Sequence, residues 1–172
     1  LLKNFCKLAD GNVLNIGSGN DNDKTGDFYK NYFKKCKSYT TLEYEEGQSD
    51  LVADIQNMPI VKDNSFDFIF CIWVLEHVEN LDLALKEINR ILRKSGKFLF
   101  TVPLNVSYHG YPQDYWRFSS EDIKEMLKKN NFEILELKKI GNDEKVILDE
   151  RLNFYKNKVD TGPYGYVALA IK

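Results

Sequence analysis

Cysteine is scarce in this sequence, and its three cysteines are widely spaced. Cys6, Cys36 and Cys71 form no Cys-x-x-Cys pair and no cysteine–histidine pattern typical of zinc ligands. Small secreted domains that depend on disulfides carry more cysteines at closer spacing. The sequence therefore argues against a disulfide framework and against a zinc site of that kind. We expect a cytoplasmic protein with reduced thiols and no bound metal.

Long apolar runs and a charge excess are also missing. No stretch approaches the roughly 18 apolar residues that a membrane-spanning helix needs, and no signal peptide is visible. The formal net charge is −2, so no overall field attracts nucleic acid or an anionic membrane. At 172 residues, 43% of them hydrophobic, the chain has the size and composition of one globular domain, which we expect over residues 1–172.

What the sequence does contain is an alternation of strand-like and helical segments. Strands are predicted over residues 12–16, 38–42, 50–54, 66–72, 97–102, 132–140 and 164–171. Helices are predicted around residues 28–33, over 81–94 with Gly96 ending it, and from Ser119, where Asp122 completes a capping box. This order predicts an α/β fold with a mostly parallel sheet, helices on both faces and an antiparallel C-terminal edge strand.

The turn after the first predicted strand indicates a ligand site, because glycine there lets a ligand approach the backbone. Residues 17–19 are Gly-Ser-Gly. A dinucleotide site needs a third glycine, where Asn22 stands. The carboxylates of Asp21 and Asp23 would oppose its pyrophosphate by on the order of 1 kcal/mol each. S-adenosylmethionine has no phosphate and carries an ammonium and a sulfonium, so the acidic turn favours it over a nicotinamide dinucleotide.

Two carboxylates at predicted strand ends add to this cofactor hypothesis. Glu43 ends the second strand and can accept hydrogen bonds from both ribose hydroxyls, which either nucleoside cofactor would need. Asp54 ends the third strand and can accept a hydrogen bond from the adenine amino group. Each also fits an ordinary polar strand end.

In their order along the chain, these segments resemble the class I S-adenosylmethionine-dependent methyltransferases of the small-molecule type. The similar segments are VLNIGSG at 13–19, LE at 42–43, ADIQNMP at 53–59, FDFIFCIWVLEHV at 66–78 and ILRKSGKFLFTVP at 91–103. The resemblance covers almost the whole chain. It implies a Rossmann-like seven-stranded sheet, methyl transfer to a small-molecule acceptor, and S-adenosyl-L-methionine as the cofactor. The cofactor-binding residues it implies are Ile16, Gly17, Ser18, Gly19, Glu43, Tyr44, Asp54, Ile55, Ile72 and Trp73.

The chain departs from this family in the first motif. An acidic residue that contacts the methionine amino group usually stands where Asn15 stands, and a third glycine usually stands where Asp21 stands. Asp21 could supply the missing carboxylate. The departures support an alternative hypothesis, a non-catalytic cofactor-binding or partner subunit with a degenerate methyltransferase fold.

The candidate catalytic residues lie in an aromatic segment, 104–117, predicted to be a loop on the cofactor side. His109 and Asp114 can form a base–orienter pair for a hydroxyl acceptor. In the competing interpretation, Asp114 pairs with Arg117 and the aromatic residues only pack the loop. A structural or cofactor-shell role is favoured for His77. The run HGYPQDYWRF at 109–118 resembles a block in methyltransferases associated with surface sugar and polysaccharide assembly, which implies a carbohydrate hydroxyl as acceptor.

Overall fold

The computed structural model describes residues 1–23, 25–110, 113–141 and 163–172. They form one seven-stranded sheet with the order β3-β2-β1-β4-β5-β7-β6. The strands are β1 (Asn12–Ile16), β2 (Ser38–Glu43), β3 (Leu51–Val52), β4 (Phe66–Ile72), β5 (Leu92–Pro103), β6 (Glu133–Ile140) and β7 (Gly165–Ile171). Strands β1 to β5 pair in parallel, as predicted from their alternation with helical segments.

The predicted α/β class, with its mostly parallel sheet, is confirmed, but the last strand lies in a different place. Strand β7 is antiparallel to both of its neighbours, β5 and β6, and lies between them. The edge strand on this side is therefore β6. The predicted edge position of β7 was wrong. Its seven residues are almost all buried, and they need cover from a strand on each side.

Helices cover both faces of the sheet. Helix α1 (Leu2–Cys6) and a short 3-10 turn (Tyr29–Tyr32) pack with Val13, Phe68 and Phe70 on one face. Helices α2 (Leu81–Ile91) and α3 (Ser120–Lys129) pack on the other. The apolar residues of β1 alternate between these two cores, because successive strand side chains point to opposite faces.

Helix α3 begins as the sequence predicts. The Ser119 side chain accepts a hydrogen bond from the Asp122 backbone N–H at 3.1 Å, and the Asp122 carboxylate accepts one from the Ser119 N–H at 2.8 Å. Phe118 and Ile123 are both buried in the same core. This capping box starts the helix directly after the aromatic loop and anchors the loop's C-terminal end.

Two helix predictions were wrong in extent. Among the described residues between the glycine turn and β2, only the 3-10 turn forms. The Asp23 carboxylate accepts hydrogen bonds from the Thr25 and Asp27 backbone N–H groups and holds the chain in local turns. Helix α2 ends at Ile91 rather than near residue 94, because the next residue, Leu92, is buried and enters β5 opposite Phe66. No helix within the described ranges is long and apolar enough to cross a membrane.

Candidate active site

A cleft of about 620 Å³ opens at the carboxyl ends of β1 to β4. This is where the strand order reverses direction, between β1 and β4, and ligands of open α/β sheets bind at such a point. The cleft has the size of a small-molecule site. Its walls consist of Ile16, Gly17, Gly19, Leu42, Glu43, Tyr44, Glu45, Ala53, Asp54, Ile55, Gln56, Trp73, Val74, His77, Val78, Glu79, Gln113 and Tyr115.

The glycine turn forms the floor of this cleft. Gly17 has a φ of +69°, and its N–H donates to the Leu42 carbonyl at 2.9 Å. A Cβ on Gly17 would overlap a methyl group of Val74. Gly19 has a φ of +53° with no atom near the position of a Cβ. The turn thus takes a backbone form that favours glycine and leaves room above it for a ligand.

Glu43 and Asp54 both line the cleft, as the cofactor hypothesis requires. The Glu43 carboxylate accepts hydrogen bonds from the Ser18 hydroxyl, at 3.1 Å, and from the Gly19 N–H. These bonds hold Glu43 against the glycine turn. The Asp54 carboxylate accepts from the backbone N–H of Gln56 at 2.8 Å and contacts its side-chain amide. These hydrogen bonds hold both carboxylates in the wall of the cleft.

The cleft is acidic. Glu43, Glu45, Asp54 and Glu79 line it, and no lysine or arginine stands among the described lining residues. A pyrophosphate would meet four carboxylates without a compensating cation, whereas a sulfonium and an ammonium would be attracted. The cleft is therefore acidic, as the sequence predicts, but the carboxylates that line it are different from those on which the prediction was based.

Asp21 and Asp23 are not among the lining residues of the cleft. The Asp21 carboxylate accepts from the Asn15 amide at 2.9 Å and from the Tyr39 hydroxyl. Asn15 is 2% exposed, and its amide also donates to the Tyr39 hydroxyl at 2.9 Å. Asp21 does stand beside Asn15, but both polar groups are satisfied by this network behind the turn.

Most of the residues implied as cofactor contacts come together in the cleft. Eight of the ten line it, and the two others are Ser18 and Ile72. Ser18 acts on the cleft through its hydrogen bond to Glu43. Ile72 packs instead against the core on the face of α1. Within β4 the side chains alternate, and Ile72 points to the same face as Phe68 and Phe70, which explains this placement.

Trp73, directly after β4, has an unusual backbone. Its φ is +56°, a left-handed conformation that is a genuine outlier for a bulky residue. Its N–H donates to the side-chain oxygen of Thr101 at 3.1 Å, which helps to hold this conformation. Strained backbone of this kind occurs preferentially at functional sites, and here it lies in the cleft wall.

The aromatic loop after β5 closes one side of the cleft. Tyr115 donates its backbone N–H to the Glu76 carbonyl at 2.8 Å, and the Trp116 indole N–H donates to the Val78 carbonyl at 2.7 Å. His77 Nδ1 lies in hydrogen-bonding contact with the Gln113 carbonyl oxygen. The loop is thereby attached to the 3-10 turn Leu75–His77 that follows β4.

Asp114 takes part in both contacts that the sequence left as alternatives. Its buried carboxylate accepts from both terminal nitrogens of Arg117, at 2.7 Å for the Nη2–Oδ2 pair. It also accepts from the His109 backbone N–H at 2.9 Å, and His109 Nδ1 lies 3.2 Å from Oδ2. Burial opposes ionisation of Asp114, but the hydrogen bonds from Arg117 and His109 outweigh it and lower its pKa to about 2.

The two histidines meet beside the cleft, and only His77 lines it. The His77 and His109 rings pack edge to face with centroids 5.3 Å apart. His109, the sequence-based candidate for the base, thus lies behind the histidine that was favoured for a structural role. Asp114, the predicted partner of His109, does contact it.

Glu76 belongs to the same group of residues and was missed as a functional candidate. Its side chain is fully buried, and burial raises its pKa to about 8. The nearest signal in the sequence was its position beside His77 in the segment LEHV. That signal does not reveal that the carboxylate points inward.

The comparisons with known proteins agree with this geometry. Residues 16–100 match the model of a family described as a methyltransferase domain. An uncharacterized protein of Methanocaldococcus jannaschii is 33% identical over 112 residues, which are 59% of this chain and 45% of that protein. The chain thus spans less than half the length of this curated relative.

Solved structures share the fold at low identity. An S-adenosylmethionine-dependent methyltransferase of Archaeoglobus fulgidus has a TM-score of 0.70 and 16% identity, covering 99% of this chain and 91% of that one. Phosphoethanolamine N-methyltransferase 2 of Haemonchus contortus, in complex with S-adenosyl-L-methionine, has a TM-score of 0.65 and 17% identity, covering 95% of this chain and 49% of that one. The chain has the methyltransferase fold, and the comparisons support S-adenosylmethionine as its cofactor.

Proposed function

We propose that this chain is an S-adenosylmethionine-dependent methyltransferase that acts on a hydroxyl group of a small-molecule acceptor. The observation that carries the proposal is the acidic, glycine-floored cleft at the ends of β1 to β4, bordered by a histidine and by the aromatic loop. Fold alone does not establish an activity, so the proposal depends on this site.

The residues of the cleft fit the cofactor. In the proposal Glu43 binds the ribose hydroxyls, Asp54 and Ile55 lie at the adenine, and Gly17 and Gly19 leave space for the rest of the molecule. The acidic lining suits a ligand with two positive groups. Ser18 acts indirectly through Glu43, and Ile72 supports the wall from behind.

When bound, the cofactor supplies a methyl group on a positively charged sulfur, which is already an activated leaving group. The chain therefore has to orient the acceptor and exclude water. In the proposal the loop residues Gln113 and Tyr115 cover the side of the cleft on which the acceptor enters. Their attachment to the 3-10 turn keeps this cover in a fixed position.

A hydroxyl acceptor also needs a base, and we assign that role to His77. The Gln113 carbonyl oxygen can only accept a hydrogen bond, so the ring proton of His77 lies on Nδ1 and Nε2 is the basic nitrogen. His109 and Asp114, the sequence-based candidates, act one step behind as positioning residues. His109 supports the His77 ring, and Asp114 orients His109.

The acceptor class in the proposal is a carbohydrate. Its support is the resemblance of residues 109–118 to sugar-linked methyltransferases, together with three exposed aromatic side chains in this region, Tyr108, Tyr115 and Trp116. Aromatic faces present apolar surface next to polar groups, which suits the faces of a sugar ring.

Calorimetric titration with S-adenosylmethionine and with nicotinamide dinucleotide tests the cofactor assignment. We expect binding of the first and none of the second. Formation of S-adenosylhomocysteine over a panel of sugars, phenols and amines then tests the reaction, and turnover should appear with hydroxyl acceptors. Absence of S-adenosylmethionine binding at millimolar concentration would refute the proposal.

The alternative, a non-catalytic cofactor-binding or partner subunit, has one observation in its favour. The position usually held by an acidic residue is Asn15, and its amide is already bonded to Asp21 and Tyr39. This alternative predicts cofactor binding without S-adenosylhomocysteine formation for any acceptor, and a stable complex with another protein.

A further inference from the structure

Glu76, His77 and His109 bring three metal-ligating side chains to one place beside the cleft, and we call them the Glu76 cluster. Glu76 and His77 come from the 3-10 turn after β4, and His109 comes from the loop after β5. Each Nε2 atom of the two histidines lies 4.0 Å from Oε1 of Glu76. One ligand atom from each residue lies within 4.8 Å of the other two.

The carboxylate of Glu76 lacks a hydrogen-bond partner of its own. Its side chain is fully buried, and neither oxygen accepts a hydrogen bond from any residue that the structure describes. Buried carboxylates are normally hydrogen-bonded, paired or bound to a metal, because an unsatisfied buried polar group costs several kcal/mol by order of magnitude. A positively charged occupant would supply the partner that this carboxylate lacks.

The outer nitrogens of both histidines face acceptors. His77 Nδ1 contacts the Gln113 carbonyl oxygen, and His109 Nδ1 lies 3.2 Å from a carboxylate oxygen of Asp114. Asp114 is ionised because it pairs with both terminal nitrogens of Arg117. These acceptors place the ring proton of each histidine on Nδ1, and each Nε2 atom lies 4.0 Å from Oε1 of Glu76. Metal-bound histidines usually show this outer arrangement.

We propose that the Glu76 cluster binds a divalent transition-metal ion of the zinc type, held by the two Nε2 atoms and the Glu76 carboxylate. Two imidazoles and one carboxylate, with a remaining position for water or substrate, form a frequent set of catalytic zinc ligands. Magnesium fits less well because it prefers oxygen ligands. Ligand bonds of about 2.1 Å at tetrahedral angles separate ligand atoms by about 3.4 Å. From the separations of 4.0 Å between Glu76 and each histidine, the side chains would close by about 0.6 Å around the ion. The two histidine nitrogens, which lie within 4.8 Å of each other, would close by up to about 1.4 Å.

The position of the cluster suggests what the ion does. His77 lines the cleft, so an ion on its Nε2 would lie at the border of the cleft. A divalent ion lowers the pKa of a bound hydroxyl group, which then loses its proton to solvent more readily. With the ion bound, this effect replaces direct proton transfer to His77. This role rests on the proposed function, whereas the binding of the ion does not.

Metal binding to the whole chain, freed of metal with a chelator, tests the site. We expect one equivalent of Zn²⁺ by calorimetry, and Co²⁺ to produce the visible absorption of a tetrahedral site. Glu76→Gln and His109→Ala should each weaken Zn²⁺ binding by more than tenfold. Glu79→Gln, an exposed carboxylate in the same cleft, is the matched control and should bind Zn²⁺ as the wild type does. All variants should also carry Cys36→Ser, because that half-buried thiol could bind Zn²⁺.

Three results would overturn the metal site. They are no Zn²⁺ binding by the wild type, equal binding by the Glu76→Gln and His109→Ala variants, and equal loss in the Glu79→Gln control. Because Gln preserves the shape of Glu76, its variant should fold, which circular dichroism checks. Titration with S-adenosylmethionine separates the two proposals. Cofactor binding without Zn²⁺ binding would remove the metal site alone, and Zn²⁺ binding without cofactor binding would remove the proposed function alone.

Discussion

The two sides of the cleft are built in different ways. On the proposed cofactor side, the glycine turn and Glu43 lie at the ends of β1 and β2, and Asp54 lies two residues beyond β3. The backbone of the sheet therefore positions all three. On the proposed acceptor side, the Glu76 cluster and Asp114 come from two segments more than 30 residues apart along the chain. The first side can be recognised in short sequence motifs. The second side exists only once the aromatic loop packs on the 3-10 turn after β4.

This difference predicts that substitutions on the two sides separate cofactor binding from turnover. Changes at the glycine turn should remove cofactor binding and with it all activity. Changes at the loop should leave the cofactor bound and slow the reaction. The variants below test that separation, from the largest expected effect to the smallest.

Gly17→Val should abolish detectable cofactor binding, with a loss of at least about a hundredfold. The new side chain would meet Val74, and the φ of +69° disfavours a β-branched residue. Calorimetric titration with S-adenosylmethionine measures the effect. Gly47→Val is the matched control, because Gly47 is exposed with no atom near its Cβ position. Wild-type affinity in the Gly17 variant would mean that the ligand does not lie on this turn.

His109→Ala should lower kcat by about ten- to a hundredfold and leave the affinity for S-adenosylmethionine within about twofold. His109 supports the His77 ring and does not line the cleft. Steady-state kinetics with the best acceptor, together with cofactor titration, separate the two quantities. If kcat stays at the wild-type value, His109 has no part in the reaction. If cofactor affinity falls as much as kcat, the two sides are not separable.

Glu43→Gln should weaken cofactor binding by about tenfold, because a charged acceptor is replaced by a neutral amide of the same shape. The Ser18 hydroxyl and the Gly19 N–H also lose a charged partner. Cofactor titration measures this loss, and turnover at saturating cofactor should recover most of the wild-type rate. Glu45→Gln, at another carboxylate of the cleft wall, is the control. An equal loss in both variants would point to overall charge and not to a specific contact.

Ser119→Ala should destabilise the fold by about 1 kcal/mol and lower Tm by roughly 2–4 °C, because it removes the N-cap of α3. Cofactor affinity should not change, since no residue of α3 lines the cleft. Thermal unfolding with and without cofactor measures both. Ser120→Ala, one residue further along, is the control and should have little effect. A large drop in cofactor affinity for Ser119→Ala would show that the end of the loop is coupled to the cofactor side.

Much of the sheet could be predicted from the sequence. The bounds of β1 and β4 are those expected from their apolar runs, and the start of α3 follows from its capping box. The prediction of a helix after the glycine turn was wrong because side-chain hydrogen bonds of Asp23 compete with the hydrogen bonds of a helical backbone. The spacing of the aromatic residues does not reveal this competition. The predicted position of β7 was wrong because the order of strands depends on which strands pair across the sheet.

Some residues of the candidate site could likewise be predicted from the sequence, and others could not. The strand-end motifs identified the floor of the cleft, whereas Asp21 and Asp23, read as part of its acidic character, point elsewhere. Asp114 was recognised together with both of its partners, His109 and Arg117. Glu76 was not recognised, since burial and the orientation of a side chain are properties of the packed structure.

The sequence by itself determined the α/β class, the glycine turn and the strand-end carboxylates, because each depends on residues that are neighbours along the chain. Only the tertiary structure decided where β7 lies, which histidine lines the cleft and that a buried carboxylate lies beside both imidazoles. These features depend on contacts between segments far apart in the chain. Such contacts form only when the segments pack together, and the local conformational preferences of the residues do not predict them.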